Sequence, residues 1–224
     1  MNELHQAITR NSLLLAGFAV LTALLVASTF LGTKDRISAA QRAAEEKALL
    51  QIIPRASHDN AMLDDRLLAP TNDPLLQLRE DKSIYVARRS GVPSAVLIPA
   101  TAPDGYSGEI ELIVGVNRDG SVAGVRVLQH RETPGLGDAV DHRKSNWIDS
   151  FKGRSLGNPE LEGWTVRKDG GEFDQFTGAT ITPRAVVQAT ARVLQYAREN
   201  RSSLFGRELG EELGTASSEQ EPTP

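Results

Sequence analysis

Two loops in this sequence combine side chains and backbone freedom suited to chemistry. The first is Asp174-Gln175-Phe176-Thr177-Gly178-Ala179-Thr180-Ile181-Thr182-Pro183, where four hydroxyl or carboxylate side chains surround a glycine just ahead of a helical pattern. Thr182 has the residue type of an N-cap, and Pro183 that of a first helical residue. The free N–H groups and the dipole of a first helical turn attract an anion. Gly178 and Ala179 have no side chain that would obstruct one. The residue types leave two roles open, a phosphate seat beside Thr180 or a plain capping turn. The second loop is His130-Arg131-Glu132-Thr133-Pro134-Gly135-Leu136-Gly137-Asp138. Pro134-Gly135 sets a turn, and Gly137 permits close backbone approach or a positive φ. Its two glycines lack the spacing of a dinucleotide fingerprint, so a plain strand-to-helix connection stays open there too.

Composition removes several other chemistries. The chain has 224 residues and no cysteine, which excludes disulfides, thiolate metal sites, iron–sulfur ligation and a cysteine nucleophile. The four histidines, His5, His58, His130 and His142, include no pair at helical metal-ligand spacing. A net charge of −4 argues against a nucleic-acid partner. No arrangement of Ser, His and Asp or of paired carboxylates reads as a hydrolase. No catalytic residue and no metal ligand is assigned.

The elements that must position these loops follow from patterning. Residues 11–33 carry no charge, and Leu13 to Leu31 reads LLLAGFAVLTALLVASTFL. A helix of that length crosses the roughly 30 Å hydrocarbon core of a bilayer. The run exceeds the usual apolar core of a cleaved signal, although small residues from Ser28 to Thr33 leave cleavage open. Lys34, Arg36, Arg42 and Lys47 follow the span and only Arg10 precedes it, so a literal charge count puts the C-terminal part in the cytoplasm. Long domains are translocated regardless of that count. Residues 34–54 read as a juxtamembrane helix ended by Pro54, with residues 1–10 as a short tail before the span. Residues 55–205 form one domain. Within it, Ile84–Arg88 and Ala95–Ile98 read as short strands, and residues 109–116 and 121–128 as a hairpin turning at Asp119-Gly120. His142–Phe151 reads as a helix, Trp164–Arg167 as a strand, and Pro183–Glu199 as a helix with Val186, Val187, Thr190, Val193, Leu194 and Ala197 on one face. Residues 55–82 read as linker with short elements, and residues 206–224 as a disordered acidic tail. The fold class is α+β, a single N-terminal membrane helix followed by a mixed α+β domain.

Asp174-x-x-Thr177-Gly178-Ala179-Thr180 resembles the flavinylation motif of the FMN-binding domain family, and Glu132-Thr133-Pro134-Gly135-Leu136-Gly137 resembles a second signature of the same family. The order of anchor, a Gly105-Tyr106-x-Gly108 strand and the two loops is similar to the membrane-anchored members found in ion-translocating electron-transport complexes of the Rnf type. The alternative branch is that of the sodium-pumping NADH:quinone reductase, whose chains are typically longer. The resemblance implies FMN held by a phosphoester to Thr180, with Thr177, Gly178, Ala179 and Thr182 around the phosphate and ribityl. Asp174 would orient the loop or assist attachment, and Glu132, Thr133, Leu136 and Gly137 would line the ring, with Trp147 and Tyr106 as further ring neighbours and Arg184 beside the phosphate. It implies a Mg²⁺-dependent flavin transferase for maturation, and partner subunits in a redox-driven translocase of the ferredoxin/NAD type within a bacterial inner membrane. The flavin domain would face the periplasm, relaying electrons without being catalytic alone. A membrane-anchored binding module without redox chemistry is the competing expectation.

Overall fold

The computed structural model of the chain describes residues 2–206. The expected acidic tail lies outside them, apart from Gly206. Helix α1 spans Asn2–Ile52, so residues expected as tail, membrane span and juxtamembrane helix share one helical run. Ser12–Lys34 is long and apolar enough to cross a membrane. Its large side chains, Leu13 through Phe30, are 59–77 % exposed within the chain, a continuous apolar surface that water does not tolerate. The hydroxyls of Thr22, Ser28, Thr29 and Thr33 donate to carbonyls three or four residues back, which satisfies them in a lipid surround.

The second unit, from Ala48 onward, is built on a five-stranded antiparallel meander. Its strands are β1 (Arg66–Ala69), β2 (Lys82–Arg89), β3 (Val92–Ala102), β4 (Ile110–Asn117) and β5 (Val122–Gln129). Alternation along β3 and β4 divides the side chains between two faces, as the pleat requires. Val96, Ile98, Leu112, Val114 and Val116 join one core cluster with Val186, Val187, Val193 and Leu194 of helix α2 (Ile181–Glu199). All six apolar-face positions expected in that helix are buried. Ala95, Leu97 and Ile113 face the other way, against Leu49, Ile52 and Ile53 at the end of α1. Gly115 and Gly124 are register partners under Ile52. A Cβ on Gly115 would meet the Ile52 Cγ2 closer than any real contact, so the glycine is a notch for that side chain. The β4–β5 turn occurs at Asp119-Gly120 as expected, with Gly120 at φ +88° and the Asp119 carboxyl accepting from Ser121 N–H at 2.9 Å.

Between β5 and α2 the chain forms neither the expected helix at His142–Phe151 nor the expected strand at Trp164–Arg167. It runs as 3-10 turns at Gly137–Val140, Trp147–Phe151, Leu161–Gly163 and Arg167–Asp169. Trp147, Phe151, Trp164, Phe173 and Phe176 hold it together, with ring centroids 4.7–6.2 Å apart. Local side-chain bonds compete with a helix at 142–151. Asp141 takes the backbone N–H of Arg143 at 2.9 Å, and the Ser145 hydroxyl donates to Ala139 O at 2.7 Å. Two elements carry no signal in the sequence, β1 and the short helix α3 (Arg201–Phe205). Gly105 to Gly108, expected as strand, form the turn between β3 and β4.

Candidate functional site

The two glycine-bearing loops meet. The Leu136 Cδ2 lies 3.6 Å from where a Cβ on Gly178 would stand. What joins them is a buried carboxyl. Glu132, 4 % exposed, accepts from the Thr182 hydroxyl at 2.5 Å through Oε2 and from the Ser107 backbone N–H at 2.9 Å through Oε1. A buried acceptor requires such partners. Three segments are thereby tied to one side chain: the 105–108 turn, the 132–137 loop and the start of α2. The slot around it has no room for Cβ atoms. One on Gly137 would sit 2.7 Å from both Glu132 Oε2 and Thr182 Oγ1, and one on Gly105 would strike the Gly108 carbonyl. Asp138, also buried, accepts from Gly135 N–H at 2.7 Å and fixes the turn in which Gly135 has φ +78°. Arg143 beside Asp141 holds that carboxyl below the ordinary aspartate range, and so fastens the far end of the 3-10 turn.

The Thr180 loop is braced from the other side. Trp147 Nε1 donates to the Asp174 carbonyl at 2.7 Å, and the Trp147 ring meets the edge of Phe176. Ala179 N–H donates to Phe176 O at 3.1 Å, and Gly178 between them has φ +80°. Thr177, Gly178 and Thr133 are exposed, Ala179 and Thr180 half-buried. The exposed Asp174 carboxyl pairs with Arg167 at 3.1 Å.

The helix begins two residues earlier than its sequence suggests. Thr180, not Thr182, is the N-cap residue, and Thr182 and Pro183 are the second and third residues of α2. The first turn has no N–H that needs an intrahelical partner, so a proline marks that turn without fixing its place within it. Thr182 is wholly buried and its hydroxyl belongs to Glu132, so it does not offer that hydroxyl to a phosphate. Glu132 likewise spends its oxygens inside the fold rather than on a ring lining. Arg184, expected beside a phosphate, pairs with Asp169 at 2.6 Å. Trp147 is part of the aromatic core, and Tyr106 stands 68 % exposed on its turn. Gly105 and Ser107 also belong to the site, through the Glu132 slot. Their only trace in the sequence is the Gly105-x-x-Gly108 pair.

Chemically, the site presents one uncommitted hydroxyl at a helix start. Thr180 makes no capping bond and has no side-chain partner among the described residues. Its neighbours are a positive-φ glycine, an alanine, and the exposed apolar side chains of Leu136 and Ile181, 43 % and 42 % exposed. An N-terminal anion seat bordered by apolar surface suits a phosphorylated aromatic group. Among the described residues no carboxylate or imidazole is hydrogen-bonded to that hydroxyl, so the loop holds no base bonded to its own oxygen.

Comparison with known proteins gives the family. Residues 105–195, which span both loops, match the FMN-binding domain model, and residues 1–52 match that of the RnfG N-terminal region. A Pseudomonas aeruginosa protein, named as the G-type subunit of an ion-translocating oxidoreductase complex, is 50 % identical over 91 % of this chain and 95 % of its own length. Proteins of the same name from Pseudoalteromonas atlantica and Vibrio atlanticus are 45 % and 46 % identical, over 90 % and 91 % of this chain and 94 % and 96 % of their own. The chain belongs to the RnfG family, the G-type subunits of ion-translocating oxidoreductase complexes.

Proposed function

We propose that the chain is a membrane-anchored electron-transfer subunit that carries FMN as a phosphoester on Thr180. The observation that carries this reading is the contrast between two threonines. Thr182 is buried and spent on Glu132, whereas Thr180 is half-buried with its hydroxyl free at the helix N-terminus. Gly178 and Ala179 leave the approach open, and Thr177 stands exposed at the rim. With no base bonded to it, Thr180 needs an external catalyst, which fits a Mg²⁺-dependent flavin transferase acting on FAD. The Thr180 Oγ would displace AMP: an Oγ–P bond forms, the pyrophosphate P–O bond breaks, and the hydroxyl proton leaves with the transferase's base.

When bound, FMN supplies one-electron transfer; the protein supplies its place and surroundings. The first-turn N–H groups of α2 would hold the phosphate, Leu136 and Ile181 would offer apolar contact to the ring, and the Glu132 tie keeps the two loops in register. Thr133, Gly137 and Asp174 support these loops rather than react. The partners are the other subunits of a translocating complex in a bacterial inner membrane, with α1 as anchor and the flavin domain in the periplasm. The long C-terminal domain is exempt from the charge count around the span.

The test is co-expression with a flavin transferase, then a denaturing gel under ultraviolet light and intact-mass measurement. The full chain should fluoresce and carry the mass of one FMN phosphoester. Thr180→Val should abolish both signals and Thr177→Val should weaken them. Fluorescence that survives Thr180→Val overturns the assignment. An unmodified native chain would leave only a tethered binding module.

A further inference from the structure

At the opposite end of α2 from Thr180 there is a cavity of about 470 Å³. Its floor is apolar, formed by the buried Val116, Leu194 and Phe205. Its mouth carries Arg198 and Arg201, and an adjoining hollow of about 490 Å³ shares both and adds Arg118. None of the three arginines makes a salt bridge among the described residues, although the charge of Arg201 acts on Asp119 across the mouth. Arg201 lies over the Phe205 ring at 5.9 Å, and Arg118 donates to the Pro93 carbonyl at 3.2 Å. Two acids border the same region. Asp119 is already engaged by the Ser121 hydroxyl at 2.6 Å, and Glu199 is exposed on the rim of the hollow. The surface therefore has a dry floor and an excess of cationic donors. It fits a peptide that carries both an apolar side chain and carboxylates.

We propose that this cavity is the docking site of the chain's own segment 207–213, Arg-Glu-Leu-Gly-Glu-Glu-Leu. The hollow is lined at its end by Gly206, after which that segment begins. Three residues of chain reach about 10 Å, so Leu209 is within range of the floor and Glu208, Glu211 and Glu212 within range of the arginines. Being tethered, the segment binds at a high effective concentration and needs little intrinsic affinity. Its two leucines match the floor and its three glutamates match Arg118, Arg198 and Arg201. Docked there, it latches α3 and the β4–β5 turn onto the C-terminal end of the helix whose other end bears Thr180.

Amide hydrogen exchange on the full chain in detergent micelles tests this directly. Deleting residues 207–224 should speed exchange in 117–121, 155–157 and 201–206 about tenfold, the scale of a few exposed ion pairs plus one buried leucine. A synthetic peptide of residues 207–216 added to the truncated chain should restore protection saturably, less well at high salt. Replacing Glu208, Glu211 and Glu212 by Gln in the full chain should mimic the deletion, and Arg198→Glu with Arg201→Glu should abolish the peptide's effect. Equal exchange in full and truncated chains overturns the proposal, as does a glutamine peptide that binds as well as the native one. Protection passed from full to truncated chains on mixing, with a dimer seen by light scattering, overturns it in favour of a second copy.

Discussion

The Glu132–Thr182 bond can be removed with little change of shape, and its loss has a size that follows from where it sits. Thr182→Val replaces the hydroxyl with a methyl at a wholly buried position. Glu132 Oε2 then loses its donor, while Oε1 keeps the Ser107 N–H. A buried acceptor left without its partner costs about 1–3 kcal/mol. For a domain of this size each kcal/mol moves Tm by about 2–4 °C, so the expected fall is about 2–12 °C. Glu132→Gln behaves differently. Its amide oxygen can still accept from Ser107, and its NH₂ can donate to a hydroxyl that reverses its role. It should therefore cost less than Thr182→Val, although it removes a carboxyl. In a cycle with Glu132→Ala, the two sites should couple by about 0.5–3 kcal/mol. Circular dichroism melts of the detergent-solubilised chain measure the four species of the cycle and the Glu132→Gln variant. Additive losses, or a Glu132→Gln variant less stable than Thr182→Val, would refute the claim that this contact joins the loops.

Gly137→Ala places a Cβ 2.7 Å from two polar atoms of the same slot, and should lower stability by about 1–3 kcal/mol and reduce flavin loading on the denaturing gel. Gly115→Ala drives a Cβ into Ile52, and should cost a similar amount (about 1–3 kcal/mol) while leaving flavin loading intact, since the notch lies on the opposite face of the sheet from α2. Asp141 has a depressed folded-state pKa because Arg143 hydrogen-bonds its carboxylate. Its contribution is present above the unfolded aspartate value of about 3.9 and is lost as pH falls through the folded value, so the Tm gap between the native chain and Asp141→Asn should be constant near neutrality and close in acid. The chain has no cysteine, so Lys152→Cys gives one exposed thiol; a membrane-impermeant maleimide added to cells with a permeabilised outer membrane should label it if the domain is periplasmic.

The legible parts of the fold are those governed by local period. β2 and β3 show in their β-branched and aromatic content, β4 alternates up to an Asp-Gly turn that fixes the hairpin with β5, and α2 repeats its apolar face every three to four residues. β1 leaves no such mark because its four residues are held by a strand distant in sequence, Arg66 to Ala69 pairing with Tyr85 to Lys82 of β2. Trp164 and Val166 are as buried as strand residues, but aromatic neighbours rather than a ladder bury them, and only one bridge, Val166 to Phe173, remains of the expected strand. Both loop motifs could be read from residue types, yet the side chain that joins them could not. A carboxyl at 132 that binds a hydroxyl at 182 and an amide at 107 leaves no periodic trace.

The same limit explains the two threonines. In Thr180-Ile181-Thr182 the residue types are symmetric about the isoleucine, and a rule for caps favours whichever threonine precedes the proline. A helix turns about 100° per residue, so positions 180 and 182 point roughly 200° apart. If one faces the core, the other faces out, and a single rotation of the helix decides which. That rotation is set along the length of α2, because Val186, Val187, Val193 and Leu194 must meet the sheet. Thr182 then turns inward onto Glu132, and Thr180 is left outward with its hydroxyl unspent. Which threonine is left outward is therefore decided by the packing of the helix core, about one to four turns along the helix from the two hydroxyls.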